Sequence, residues 1–428
     1  MQIEWVNHAS FILRSGECSV IMDPWLEGSV FDESWSLLAP SVFSTRDFEA
    51  ITHIWFSHEH PDHFFPPNLM RIPAGIRARI HILFQPTIDK RVIEFCRKAG
   101  FASVTELPPT WHSIGSDLRI WCEPAGRGDS WAAFQSASHT LLNINDCIYL
   151  DKDELRPLKG KIGKIDTLVT QFSYASWWGN KQDGPAWEKA AREQLEKIRR
   201  EVVILEPTFV LLSASYVFFD HEENWYMNKW ANTVQRAFEY VSHLPRISPV
   251  ALYPGDKWLA GTEHDSSSAL ARYAADQERV LARGPQQKSK RVEITTLQEA
   301  ARDFIRRLRR RNSLLLLSRI TSTRVFVTDY GEHFSLSLRG LTRGSKDLAD
   351  VSLSASALLY CLKNDWGGET LFINGRFEVP KGGDYARFSR WFAVADANRH
   401  GTFYEFGYYA NKLTRRLKIA WRPGTSQI

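Results

Sequence analysis

The chain of 428 residues carries 54 Lys and Arg against 49 Asp and Glu, a net charge of +5, with 43% hydrophobic and 24% charged residues. That composition excludes wholesale disorder, and the length exceeds one small core, so two or three domains are expected. A charge of +5 spread over this length argues against nucleic acid as a partner. Five scattered cysteines with no Cys-x-x-Cys pair (Cys18, Cys96, Cys122, Cys147, Cys361) exclude a disulfide framework or zinc ribbon and fit a reducing compartment.

In chain order, the opening Met1-Gln2-Ile3-Glu4-Trp5 lacks the basic and apolar regions of a leader. The most apolar stretch, Val202 to Phe219, is interrupted by Glu206 and Pro207. No transmembrane segment is expected, and the protein reads as cytoplasmic. Apolar runs bounded by turn residues predict strands at Ser10 to Leu13, Ser19 to Met22, His53 to Phe56, Ile80 to Phe84, Leu118 to Trp121, Ala132 to Gln135 and Leu141 to Ile144. Helices are predicted from Thr87 to Ala99 and from Pro185 to Arg200, where Trp187, Ala190, Ala191, Leu195 and Ile198 share a face. Between them, an apparent strand from Thr167 to Phe172 leads into Tyr174, Trp177, Trp178 and Asn180, which could form a wall for a small-molecule substrate or simply pack the core.

The polar stretch from Arg283 to Lys290 marks a linker, so the expected layout is a domain at 1–283, a linker at 284–293 and a second domain at 294–428. The second reads as an α+β module. It holds a helix from Thr295 to Arg311 whose arginines form a solvated face, strands at Arg324 to Thr328, His333 to Leu338 and Val351 to Ser354, a helix from Ala355 to Lys363, and a run from Glu369 to Val379. The overall class is α/β.

The chemistry concentrates in Ser57-His58-Glu59-His60-Pro61-Asp62-His63, where an apolar run ends in four potential metal ligands within six residues. A lone histidine is more often a satisfied structural residue, but four donors at this density are not. Pro61 makes a continuing strand improbable. His58, His60, Asp62 and His63 are therefore expected in the loop leaving a buried strand, converging on metal.

This His-x-His-x-Asp-His stretch resembles the defining motif of the metallo-β-lactamase superfamily. The resemblance implies an αββα sandwich in which His58 and His60 bind one metal ion, Asp62 and His63 bind a second, and an Asp after a later strand bridges both. Asp146, ending the run from Leu141, matches that Asp. Asp23 is similar to the Asp that follows the second strand in these folds, a turn-former that orients a histidine. Where the common hydrolases carry a Gly-His-Thr-Pro-Gly-like turn, this chain has Gly126-Arg127-Gly128-Asp129-Ser130, so Asp129 is expected to replace an imidazole, with turn capping as its alternative. His221 is the candidate for the final histidine, and His264 is the runner-up. His8 lies where similar chains approach the metal cleft and is the catalytic candidate beside Asp62, with a structural role as its alternative. His53 reads as structural, and Lys257 and Arg127 could hold an anionic substrate.

A narrower resemblance covers roughly residues 1–260. Asp23-Pro24-Trp25-Leu26, Ser57-His58-x-His60-x-Asp62-His63, Gly128-Asp129-Ser130, Asn145-Asp146-Cys147 and Ala214-Ser215-Tyr216-Val217-Phe218-x-x-His221 are similar, in order and spacing, to the catalytic domain of CMP-N-acetylneuraminate hydroxylases. That family implies iron-dependent monooxygenation with a Rieske iron–sulfur domain. No Cys-x-His with Cys-x-x-His occurs in these 428 residues, so an external redox partner is expected. The stretches Ser352 to Leu362 and Thr370 to Phe377 resemble a sterol-carrier-protein-2-like domain, which implies an apolar tunnel or a homodimer contact.

The expected ligand set is thus His58, His60, Asp62, His63, Asp129, His221 and the bridging Asp146: four imidazoles, three carboxylates and no thiolate. A carboxylate in place of an imidazole hardens the site and tilts the two metal ions toward iron over zinc. Two activities follow. One is an iron-dependent oxygenase or hydroxylase with an external electron donor; the other is a dinuclear zinc hydrolase acting on an ester, amide or phosphodiester, with Asp62 orienting the nucleophile. A non-catalytic binding role is the third reading.

Overall fold

Successive residues of a strand point to opposite faces, and the short strand His53–Trp55 serves two cores this way. Ile54 packs outward with Ile12, Ile21, Ile82 and Phe84, while Trp55 packs inward with Trp5, Val20 and Phe134. The computed structural model describes residues 1–126, 128–147, 152–344 and 348–405, and the chain divides into two units, Met1–Gln287 and Lys288–Ile428.

Among the described residues of the first unit, one seven-stranded sheet has the order Lys257–Leu259, Gln2–Asn7, Ser10–Ser15, Cys18–Met22, His53–Trp55, His81–Phe84, Ser103–Glu106. Its first four strands are antiparallel neighbours and its last four are parallel. The second sheet runs Ser248–Val250, Phe209–Ser213, Thr167–Gln171, Thr140–Asn145, Asp129–Gln135, Arg119–Ala125, His112–Ser113, parallel at the beginning and antiparallel at the end. The inner faces meet through side chains such as Trp55 and Phe134, whose rings lie edge to face at 5.9 Å. Helix Arg91–Lys98 buries Val92, Ile93 and Cys96 on the outer side of the first sheet. Helix Gly184–Leu205 covers the second. The layers are those of the metallo-β-lactamase-like αββα sandwich.

Helix Gly184–Leu205 starts at Pro185, where a missing N–H costs nothing, and buries a stripe from Trp187 through Ile198 to Leu205. It runs beyond the predicted end because Val202 and Leu205 continue the stripe; left-handed Glu206 (φ 52°) and Pro207 then stop it. Strand Asp129–Gln135 begins three residues before the predicted run, because Asp129 already pairs with Ala125. Helices Lys152–Ile162 and Ser267–Arg283 and strand Gln2–Asn7 have no counterpart in the sequence reading. In the first of these, Pro157 and a polar composition mask the helical pattern.

The second unit is α+β. Its sheet has the order Gly340–Arg343, Glu332–Ser337, Thr323–Val327, Val351–Leu353, with helices Ile294–Arg311, Ala355–Lys363, Gly367–Asn374 and Tyr385–Arg399. Phe304 and Phe392 pack with tilted rings at 5.1 Å in its core, while Arg306 pairs outward with Asp303, as expected of a solvated helix face. The Glu369 to Val379 run is divided by Gly375, whose φ of 65° ends helix Gly367–Asn374. No helix among the described residues is long and apolar enough to cross a membrane.

Candidate metal centre

Four segments leave their strands through non-glycine residues with positive φ: His8 (28°), Asp23 (40°), Asn145 (44°) and Ala214 (49°). Each such backbone costs on the order of 1–3 kcal/mol and persists where the surroundings impose it. Here they are tied to one another: the Ala214 N–H donates to the His8 carbonyl (2.8 Å), and Asn145 Nδ2 donates to Asp23 Oδ2 (2.7 Å). Strand ends with this geometry let side chains from distant segments converge on one point.

Asp23 is fully buried and organises the convergence. Its Oδ1 accepts from the Ser57 N–H (2.7 Å), and its Oδ2 accepts from the Ser57 hydroxyl (2.7 Å) and lies 2.9 Å from His63 Nδ1. This turns His63 Nε2 away from Asp23. The Ser57 Oγ is also 3.0 Å from His58 Nδ1, leaving His58 Nε2 directed at its neighbours. Gln85 Nε2 donates to the carbonyls of Ser57 (3.0 Å) and Gly128, and the Ser130 hydroxyl donates to the Ser57 carbonyl as well. Gln85 thereby clamps the His58 loop to the Asp129 turn. Sequence reasoning missed the positioning roles of Ser57, Gln85, Ser130 and Asn145, because a buried serine or amide at a strand end carries no pattern until its partner is known. Asp23→Asn cannot accept as a carboxylate from an imidazole N–H, and outer-shell carboxylates of this kind typically contribute about 10–100-fold in metal affinity. A loss of that size is the expected result, read by competition with a chromophoric chelator.

The nitrogen and oxygen donors fall into three groups whose atoms all lie within 4.8 Å of one another: His58 with His60 and Asp129, His58 with His63 and Asp146, and His8 with Asp62 and His63. His58 Nε2 is 2.9 Å from His60 Nδ1 and 3.6 Å from Asp146 Oδ2. His63 Nε2 is 3.3 Å from Asp62 Oδ2 and 3.5 Å from Asp146 Oδ2. Burial holds the His58 imidazole down to about 3, so at neutral pH it is neutral and its lone pair is available. Burial pushes the Asp62 carboxyl up, but His63 and His8 outweigh it and keep Asp62 well below the usual range. Asp146 is likewise driven up by burial and pulled below the carboxylate range by His58 and His63. Burial alone would lower His63; Asp62, Asp146 and Asp23 raise it well above its ordinary value.

Four carboxylates in one buried or half-buried spot require positive charge. Asp62 Oδ1, Asp146 Oδ1 and His63 Nε2 also have no hydrogen-bond partner among the described residues. Unpaired buried donors and acceptors are rare in folded proteins, and three together, all of metal-ligating type, fit cations.

Several expected residues stand elsewhere. His221 is buried but belongs to none of the three groups among the described residues; its Nδ1 accepts from the Glu223 N–H (3.2 Å) in the turn that follows Val217–Phe219. His264 is also outside them. Tyr174 is a core residue: its hydroxyl donates to the Met227 carbonyl (2.5 Å) and its ring packs on Trp187 at 5.3 Å. The Asn180 carbonyl accepts from Trp187 Nε1 (3.0 Å) and its N–H donates to Asp183, which shapes the turn before helix Gly184–Leu205. Trp177 is half-buried, and Trp178 is 48% exposed. Of the two alternatives for these residues, Tyr174 takes core packing, and the Asn180 main chain holds Trp187. Lys257 is exposed on its edge strand beside Glu4 (3.8 Å), and Arg127 lies outside the described residues.

Residues 2–106 match the profile described as a beta-lactamase superfamily domain. The chain is similar to a protein named as a Rieske 2Fe-2S iron-sulfur protein from Mycolicibacterium smegmatis, with 29% identity over 234 residues, 50% of this chain and 43% of that protein. It is also similar to the inactive cytidine monophosphate-N-acetylneuraminic acid hydroxylase of Homo sapiens, with 25% identity over 274 residues, 58% of this chain and 53% of that one. The chain thus spans about half the length of these curated relatives. Among solved structures, CmlA, a diiron beta-hydroxylase from Streptomyces venezuelae, aligns with 17% identity and a TM-score of 0.38, covering 68% of this chain and 52% of that one. An isothiocyanate hydrolase from Delia radicum gut bacteria aligns with 13% identity and a TM-score of 0.45, covering 60% and 98%.

Proposed function

We propose that the unit Met1–Gln287 is a dinuclear metalloenzyme, an iron-dependent oxygenase or hydroxylase acting on a small molecule and fed by an electron donor outside these 428 residues. The observation that carries this reading is the grouping of His58, His60 and Asp129. Two imidazoles with one carboxylate and open positions are a donor set of non-haem iron oxygenases; zinc takes this set as well as three imidazoles, and it is the hard carboxylate of Asp129, added to the shared Asp146, that favours iron. The first cation would be held by His58, His60 and Asp129 and the second by Asp62 and His63, with Asp146 shared. Iron bound there would supply the one-electron and O₂ chemistry that side chains lack.

The chain's own residues then have defined tasks. Neutral His58 offers its lone pair, and Ser57 fixes which nitrogen does so. Asp23 does the same for His63. Asp146, with 16% of its side chain exposed, stands at the accessible side, while buried His8 and Trp25 close the opposite side to water. Similarity to a hydroxylase and to a Rieske-named protein supports the same reading.

The test is elemental analysis of protein expressed with both iron and zinc supplied, followed by O₂ uptake with a chemical reductant. Two irons per chain with reductant-dependent uptake are expected. Zinc alone, with turnover of a chromogenic ester or phosphodiester, would overturn the oxygenase reading in favour of a zinc hydrolase.

A further inference from the structure

We propose that His8, on the turn between strands Gln2–Asn7 and Ser10–Ser15, is a ligand of the second cation and fills the place that the sequence pattern assigns to His221. This rests on the dinuclear reading above. His8 Nε2 lies 3.3 Å from Asp62 Oδ2, which is itself 3.3 Å from His63 Nε2, so the three donor atoms face a common point. His221 joins no such group among the described residues.

The backbone supports a role beyond packing. His8 adopts φ 28°, a conformation that L-residues avoid, and its carbonyl is pinned there by the Ala214 N–H (2.8 Å) and the Ser213 hydroxyl (3.4 Å). Strain of this kind survives where a side chain must be aimed. The ring is 1% exposed and held edge-on between Trp25 (5.7 Å) and His63 (5.8 Å), so it cannot swing out to solvent. With His8 included, each cation has two imidazoles and one carboxylate of its own, plus a share of Asp146.

The second shell differs between the two positions. Ser57 orients His58 and Asp23 orients His63, but His8 Nδ1 has no partner among the described residues. Ligating histidines without such a partner bind about 10–100-fold more weakly. The second cation is therefore the labile one.

The experiment compares wild type with His8→Ala, His8→Asn and His221→Ala by anaerobic equilibrium dialysis against cobalt(II), with ions per chain and the cobalt absorption spectrum as readouts. Wild type and His221→Ala are expected to hold two ions. Both His8 variants should hold one, with the remaining ion bound as in wild type and with metal-free melting temperatures unchanged. His8→Asn keeps a donor near Asp62 and so separates ligation from the loss of a hydrogen bond. Two ions in either folded His8 variant, bound within about threefold of wild type, overturn the proposal, because a lost first-shell ligand must cost more than the 10-fold of an outer-shell partner. Should both variants fail to fold, X-ray absorption of cobalt-loaded His221→Ala decides: four imidazoles per cobalt pair support it and three overturn it. Wild type binding fewer than two ions would instead sink the dinuclear reading, a result distinguishable from failure of the His8 assignment.

Discussion

His58→Ala is expected to reduce bound metal from two ions per chain to one and to lower turnover by about 10³-fold, the equivalent of the several kcal/mol a bound cation contributes. His58 stands in two donor groups, one with His60 and Asp129 and one with His63 and Asp146, and His63 likewise stands in two. Removing His58 takes an imidazole from the first cation and leaves only His60, Asp129 and Asp146 to hold it. Asp62 and His63 keep the second. The measurement is metal content after desalting, alongside turnover and a circular dichroism spectrum that establishes folding. Retention of two ions by folded His58→Ala protein would refute the assignment of His58 as a ligand of the first cation.

The second large effect concerns metal identity. Asp129→His converts a set of two imidazoles and one carboxylate into three imidazoles, removing a hard anionic donor. Protein expressed with equal supplies of both metals should shift its zinc-to-iron ratio by at least about tenfold toward zinc, with reductant-dependent O₂ uptake falling in parallel. Asp129 stands at the start of strand Asp129–Gln135, paired to Ala125, and the adjoining turn is clamped by Gln85, so the substitution changes the donor on a fixed support. An unchanged zinc-to-iron ratio would show that Asp129 does not set metal preference and would return it to a turn-capping role.

The local parts of the candidate site are legible in the sequence. His58, His60, Asp62 and His63 fall within six residues, and a strand that ends at Trp55 leaves them no course but a loop. Asp23 and Asp146 were legible too, because each directly follows an apolar run whose strand character is unambiguous. The apolar alternation also marked seven strands close to where they form, and the Trp187–Ile198 stripe marked the long helix. Sequence left open what only packing decides. Tyr174 could line a cleft or fill the core until its ring is found against Trp187, and Gln85 looks like an ordinary polar residue until the carbonyls of Ser57 and Gly128 stand beside its amide.

The amino-acid order alone determined the donor types and their clustering at one strand end, and it suggested Asp129 in place of an imidazole, since these depend only on neighbours in the chain. Tertiary structure alone decided which remote histidine lies beside them. His8 is 54 residues from Asp62, and its approach depends on strand pairing and on the Ala214 N–H holding a left-handed turn. His221 follows an apolar run of the expected kind, yet its turn carries it out of the donor groups. Sequence spacing specifies what a short loop can gather; for segments this far apart, sheet order and register set the distance, and a difference of a few ångströms separates a ligand from a bystander.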